Sequence, residues 1–399
     1  MLRLAVPVVC AVLLVAVPAA PAAGDVFNGR IAFTSQRDGP DFDVFTVTPA
    51  GADLRQLTAN TRNDHQTDWH PDGKALAFRA EVAEEFQVWR MGPEGQGQTP
   101  IVDLTAPFEA SQPSWFPDRA GLLLRRSGAP APIRGAVFRA GPGGEEPREL
   151  FAFPERQFYP SYSPDMSKVL VALVMSEPAD TDRGIFTVDP TTLQTTEVFD
   201  LPGVFDSAPA WSPDGRRIAF ESDGDPLGLN PEHDREIFVM KADGTGVTQL
   251  TRNAIHDEGP AWAPDATQIA YTSGRDNTHG DINVMTAGGV HLRRLTTDFD
   301  GADESPDWQA IPAAETDRRC GDAVPATDVR ADGRGMPCSK ARRLVERWTR
   351  RGMPPAIRRF DAYVEDFGGT LRVELVRRGR HKHQLGTFLH PRAEPTTRG

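Results

Sequence analysis

Trp211-Ser-Pro-Asp-Gly215 opens a run that continues Ile218-Ala-Phe220, Ile237-Phe-Val-Met240, Ala242-Asp-Gly-Thr245 and Gln249-Leu-Thr251. Its turn recurs along the chain. Trp69-His-Pro-Asp-Gly73, Trp115-Phe-Pro-Asp118, Tyr162-Ser-Pro-Asp165 and Trp262-Ala-Pro-Asp265 carry the same pattern, and Pro306-Asp-Trp308 keeps the anchor without the turn. Successive anchors lie 46 to 51 residues apart. Such a period indicates stacked supersecondary units, slightly longer than the ~40–45 residues of a four-stranded propeller blade.

Each anchor is followed by a short apolar strand (Leu76-Ala-Phe78, Leu122-Leu-Leu124, Val169-Leu-Val171, Ile269-Ala-Tyr271) and then an alternating one (Phe86 to Met91, Ala136 to Phe138, Ile185 to Val188, Ile282 to Met285). A Gly- or Pro-rich turn leads to a brief outer strand ending near Leu-Thr, as at Leu104-Thr105 and Leu295-Thr296. Alternation bounded by turn residues is a strand signal. Proline pre-sets φ in the Pro-Asp-Gly turn, and glycine tolerates the left-handed exit. Arg119, Met166 and Ala266 replace that glycine, which predicts strained or differently shaped turns. Residues 30–58 supply the second to fourth strands of a unit and Trp308 supplies a first strand. Together they complete a sixth blade and close the ring, which removes open sheet edges. The fold class read here is all-β: a six-bladed β-propeller closed by N- and C-terminal strands of one blade, followed by a small α+β C-terminal module.

The chain resembles the TolB family of periplasmic propellers and, more loosely, the propeller domains of prolyl oligopeptidase-type peptidases. The resemblance covers about residues 27–310 and rests on the repeat quoted above. It implies binding of a partner at the channel face, while the fold itself carries many unrelated functions.

Residues 1–23 read as a signal peptide, with Arg3, an apolar Leu4 to Val17 and an Ala20-Pro21-Ala22 cleavage site. The apolar run is shorter than the ~20 residues of a membrane span. The expectation is therefore an exported protein, periplasmic or extracellular, with no transmembrane anchor in its mature form, and a monomer. The net charge of −12 argues against nucleic acid as a partner. With Cys10 removed, Cys320 and Cys338 are expected to form a disulfide in an oxidising compartment.

Asp206-Ser-Ala-Pro-Ala-Trp211, Asp257-Glu-Gly-Pro-Ala-Trp262 and Asp303-Glu-Ser-Pro-Asp-Trp308 share Asp-x-x-Pro-x-Trp. Asp64-His-Gln-Thr-Asp-Trp69 keeps the Asp, and two anchors have Ala110 or Gln157 there. The first strand of a blade is innermost, so the sequence places Asp64, His65, Asp206, Asp257, Glu258, Asp303 and Glu304 at the channel mouth, with His256 nearby. One reading is a Ca²⁺ site on Asp206, Asp257 and Asp303, since clustered carboxylates suit that ion. A second is a docking mouth for a partner segment. A third, favoured for residues that repeat with the blade, is that each Asp accepts local hydrogen bonds. Ser35-Gln-Arg-Asp38-Gly39, echoed by Ser273-Gly-Arg-Asp276, reads as a hairpin turn stiffened by an Arg–Asp pair, with a loop calcium site as the lesser alternative.

The chain carries neither a Gly-x-Ser-x-Gly elbow nor a His-Glu-x-x-His helix. The leading reading is a non-catalytic scaffold that binds a protein or a cell-envelope polymer, anionic or polysaccharide. The alternative is a polysaccharide lyase or hydrolase using channel carboxylates and histidines.

After Trp308 the repeat stops. Residues 317–399 hold 19 Lys/Arg against 10 Asp/Glu. Within the expected module at 317–390, Ser339 reads as an N-cap and Ala341, Leu344, Val345 and Trp348 as a helix face. Leu371 to Leu375 alternates like a strand, and residues 391–399 read as a disordered tail.

Overall fold

The structure is a computed structural model. It describes residues 26–102, 109–128, 135–153, 157–175, 182–276, 279–290, 293–297, 301–312, 328–329, 360–367, 370–377 and 384–391. Six four-stranded antiparallel sheets form the propeller. Their innermost strands are Asp64–Trp69, Glu109–Trp115, Gln157–Tyr162, Asp206–Trp211, His256–Trp262 and Asp303–Pro312, which define blades 1 to 6 in that order.

Blade 6 is composite. Asp303–Pro312 pairs with Val26–Ser35, with Val26 opposite Pro312 and Ser35 opposite Asp303, and Asp43–Val47 and Arg55–Gln56 complete the sheet. The closure read from residues 30–58 and Trp308 is therefore present, and it extends a few residues further at each end.

The strands are sandwiched between neighbouring blades, so both of their faces are buried and they read as near-continuous apolar runs. Alternation then divides each strand between two interfaces. In blade 2, Leu122 and Leu124 pack toward blade 1, whereas Leu123 packs toward blade 3. In blade 1, Ala77 faces blade 2 while Leu76 and Phe78 face blade 6. Among the described residues the buried apolar side chains form six clusters, one at each junction between adjacent blades. Each anchor packs against the preceding blade: Trp262 joins Ala219, Ile237 and Val239 of blade 4, and its indole N–H donates to the Ala210 carbonyl at 3.2 Å. Trp115 does the same to Asp68.

The Pro-Asp turns are all closed alike. The N–H of Gly73, Arg119, Met166, Gly215 and Ala266 donates to the carbonyl three residues back, at 2.7–2.9 Å. Arg119, Met166 and Ala266 take φ of 69°, 58° and 59°, against 71° and 68° at Gly73 and Gly215. The three turns are thus strained, as expected for non-glycine residues in the left-handed region, but they keep the common shape. The turn aspartate is what holds them. Oδ1 of Asp72, Asp118, Asp165, Asp214 and Asp265 each accepts the backbone N–H two residues on.

The Leu-Thr endings have an equally local cause. Leu57, Leu250 and Leu295 donate their N–H to the third strand, and the following threonine hydroxyl accepts the N–H of Val44, Ile237 and Ile282 respectively. A threonine there satisfies a buried ladder group where the short outer strand runs out.

Arg37 corrects one expectation. Its guanidinium pairs with Asp303 of the neighbouring strand, not with Asp38 of its own turn, and lies over Phe33 and Phe45.

The C-terminal strands Phe360–Phe367, Thr370–Arg377, Gln384–Pro391 and Asp328–Val329 form one antiparallel sheet, with Gln384–Pro391 between Asp328–Val329 and Thr370–Arg377. The expected strand at Leu371 to Leu375 lies within it. The signal peptide, Cys320 and Cys338, the helix at 339–352 and the last eight residues lie outside the described residues. Among the described residues no helix is long and apolar enough to cross a membrane.

Candidate functional site

Every innermost strand carries an irregularity at one shared place, and that of blade 6 carries a second, opposite Asn28 and Ile31. Register shifts fall between His65 and Asp68, Ser111 and Ser114, Phe158 and Ser161, Ser207 and Ala210, and Glu258 and Ala261. In blade 6 the shift lies opposite Ala32 and Thr34. Three residues before each anchor, Gln66, Gln112, Tyr159, Ala208, Gly259 and Ser305 all have φ between 45° and 59°. A bulge at this position re-aims the side chains on either side of it. Gln66 Oε1 accepts the Gln112 N–H, and Gln112 Oε1 accepts the Tyr159 N–H, both at 3.0 Å. Glu221 accepts the Gly259 N–H at 2.8 Å. Side chains from neighbouring strands thus satisfy amides that the bulges release.

Two faces result. The Pro-Asp turns lie on one, here the turn face. The hairpins between second and third strands, and the connections between blades, lie on the other, the loop face.

Asp64, Asp206, Asp257 and Asp303 begin their strands on the loop side and are at most 1 % exposed. Each is held by its own blade and the connection leading into it. Asp206 accepts from Ser222 Oγ at 2.5 Å and from the Leu201 N–H at 3.0 Å. Asp257 and Asp64 accept from Asn253 and Asn60 at 2.7 Å, and Asp303 from Arg37. Burial raises the pKa of all four, that of Asp206 to about 7. Glu236, across the junction from Asp257, is raised by burial to about 8. Among the described residues no three His, Cys, Asp or Glu side chains come together as a metal-holding group. The structure therefore places these aspartates one per blade, as anchors of the blade entrances, and does not bring them together.

The next residue in each strand points the other way, as alternation requires. His65, Ser111, Phe158, Ser207, Glu258 and Glu304 occupy this second position. His65 Nδ1 lies 3.4 Å from Glu304 Oε1, joining blades 1 and 6. Glu258 pairs with Arg235 at 2.8 Å. Arg235 also lies over the Phe205 ring at 4.3 Å, Arg183 lies over Phe205 and Phe158, and Arg125 over Phe158. The loop-face mouth is thus polarised. Blades 2 to 4 present an alternation of arginine and phenylalanine, and blades 5, 6 and 1 present Glu258, Glu304 and His65, with Arg79 of blade 1 near Glu304. Glu221, buried between these halves, is raised to about 7 by burial and by Glu258. A pocket of about 250 Å³ between blades 4, 5 and 6 is lined by Arg235, His256, Glu258, Thr272, Asp303 and Glu304, among others. His256 Nδ1 accepts the Arg235 N–H at 3.0 Å.

The arginines of the mouth escape sequence reading because they come from second and third strands and from hairpins. Their only signal is a position: Arg79 and Arg125 face the second residue of their innermost strand across the ladder, as the acid Glu221 does in blade 4.

No protein-family model matches the chain. A stretch of 73 residues is 37 % identical to the Tol-Pal system protein TolB of Zymomonas mobilis, covering 18 % of this chain and 15 % of that protein. The solved structure of TolB from Acinetobacter baumannii superposes with a TM-score of 0.59 at 15 % identity, over 70 % of this chain and 66 % of that one. The chain has a TolB-like propeller. Putative TolB from Agrobacterium tumefaciens agrees, with a TM-score of 0.54 at 18 % identity over 72 % of this chain and 100 % of that one. At such identities the structural likeness shows the fold alone, and the sequence match spans under a sixth of the curated TolB relative. The TolB-like propeller is therefore a frame whose use is argued from its own residues.

Proposed function

We propose that this chain is a non-catalytic, exported binding scaffold that engages a protein partner in the cell envelope through the loop-face mouth of its TolB-like propeller. The observation that carries this reading is the polarised mouth. Arg125 and Arg183, held against Phe158 and Phe205, lie on one side of the pore and Glu304 and His65 on the other, with Arg235 paired to Glu258 where the two sides meet. Preorganised groups of both signs around a rim favour an extended polypeptide segment with its own charge pattern, and they set its orientation. The name shared by the curated relatives, Tol-Pal system protein, is consistent with an envelope assembly. Export follows from the leader read at residues 1–23. The test is affinity capture from the native envelope and secreted fractions, with mass spectrometry, comparing the natural chain with a Glu258→Lys/Glu304→Lys variant. A partner held by the first and lost by the second supports the reading. Equal capture by both refutes it.

A second reading keeps one specific observation. The pocket between blades 4, 5 and 6 gathers His256, Glu258 and Glu304, groups able to serve as general acid and base in a polysaccharide lyase or hydrolase. Against it, Glu258 is tied to Arg235 and one nitrogen of His256 to a backbone amide. Turnover of uronate oligomers, lost on Glu304→Gln, would establish this reading.

A further inference from the structure

The residue directly before each anchor has no part in the mouth. Asp68, Ser114, Ser161, Ala210, Ala261 and Asp307 form a ring lower in the channel, on the turn-face side of the bulges. All six line a cavity of about 370 Å³ bounded by all six blades. Four of the ring residues are small, and the two acids come from blades 6 and 1, which are neighbours. Each acid lends one oxygen to the next blade: Asp307 accepts the Trp69 N–H at 2.5 Å, and Asp68 accepts the Trp115 N–H at 2.7 Å. Burial raises both carboxylates, and the neighbouring Asp307 raises Asp68 further.

Nothing lining the cavity offsets them. Among the described residues around it there is no arginine, lysine or histidine. Thr67 and Ser161, both half-buried, also line the cavity, and their hydroxyl oxygens, turned away from it, have no hydrogen-bond partner. Toward the turn face the wall becomes apolar and aromatic, with Tyr162, Pro164, Trp211, Pro213 and Trp262. A narrow apolar passage ending in unneutralised acceptors suits a cation on an aliphatic arm. The arm packs on proline and indole, and the head takes the carboxylates.

We propose that the turn-face end of the channel is a binding site for a single guanidinium or primary ammonium group on an aliphatic arm, the side chain of an arginine or lysine in a partner chain, held by Asp68 and Asp307. The site does not depend on the loop-face reading, since it lies beyond the bulges on the opposite side.

The test is isothermal titration of the full chain with n-butylguanidinium at pH 8, with n-butylurea as the uncharged probe of the same shape. Saturable binding of the cation and none of the urea is expected. Asp307→Asn and Asp68→Asn, which keep an oxygen for the Trp69 and Trp115 amides, should each weaken binding at least tenfold. Lowering the pH to 5 should weaken it by a similar factor, because protons then occupy the carboxylates. Equal binding of the two probes to the natural chain overturns the proposal, and this arm needs no variant to fold. Unchanged affinity in the folded asparagine variants overturns it too. Calcium displacing the probe at equimolar concentration would make the ring a metal centre and also overturn it.

Discussion

Replacing Asp206 by asparagine should remove a pH dependence of stability that this single residue imposes. Asp206 is fully buried, accepts from Ser222 Oγ and the Leu201 amide, and has its pKa raised by burial to about 7. In the unfolded chain a carboxyl of this type titrates near ~3.9. The folded state therefore binds the proton more tightly. Stability from this group is whole below pH ~4 and is lost as pH rises through about 7. Between pH 5 and pH 8 the loss is about 3 kcal/mol, from a folded pKa of about 7 and 1.36 kcal/mol per unit. Asparagine keeps an oxygen for one donor, carries no charge and has nothing to titrate. The assay is urea unfolding followed by tryptophan fluorescence at pH 5 and pH 8, for both proteins. The natural chain should lose about 3 kcal/mol more than Asp206→Asn over this interval. If the two lose the same amount, Asp206 ionises normally in the fold, and the account of buried blade-entrance acids fails.

Three more outcomes follow from the same geometry. Thr251→Val leaves the buried Ile237 N–H without its acceptor and should cost about 1–3 kcal/mol, read as a fall in the urea midpoint. Gly144→Ala should cost about 2 kcal/mol or more, because a Cβ there runs into the Ile101 carbonyl at a φ of +83°. Gly97→Ala meets no atom within 4 Å and should cost only the left-handed strain, about 1 kcal/mol, so the two melting shifts should separate clearly. Arg37→Met strips the cation from Asp303, whose folded pKa then rises further. The destabilisation, about 3 kcal/mol for a broken buried pair, should shrink as the pH is lowered, because protonation removes the uncompensated charge on Asp303.

The blades were legible because each repeat carries the same local physics: a Pro-Asp turn capped by its own carboxylate, an apolar strand sandwiched on both faces, a threonine closing the outer strand. The composite sixth blade followed from counting which strands were missing at each end. The repeated aspartate was legible as a repeat, but its direction was not. Sequence places Asp206 and Ser207 side by side, and only the ladder shows that Asp206 turns into the blade while its neighbour turns toward the mouth. Arg183 and Arg235 were not legible, because the contacts that bring them to the rim join residues of different blades. Asp68 and Asp307 were hidden for another reason. They break the column of small residues before the anchors in two blades of the six, and two blades out of register with the aspartate motif leave no pattern to notice.

The pairing of Val26 with Pro312 has a mechanical consequence. The strands are antiparallel, so the incoming and outgoing chain leave the ring from the same end of one ladder. Tension applied between the two ends would load the hydrogen bonds one after another, as in a zip, and not all together as in shear. The seam that completes the circle is therefore its weakest line under traction, and a pulling machine would open the ring there first and leave the five continuous blades stacked behind it.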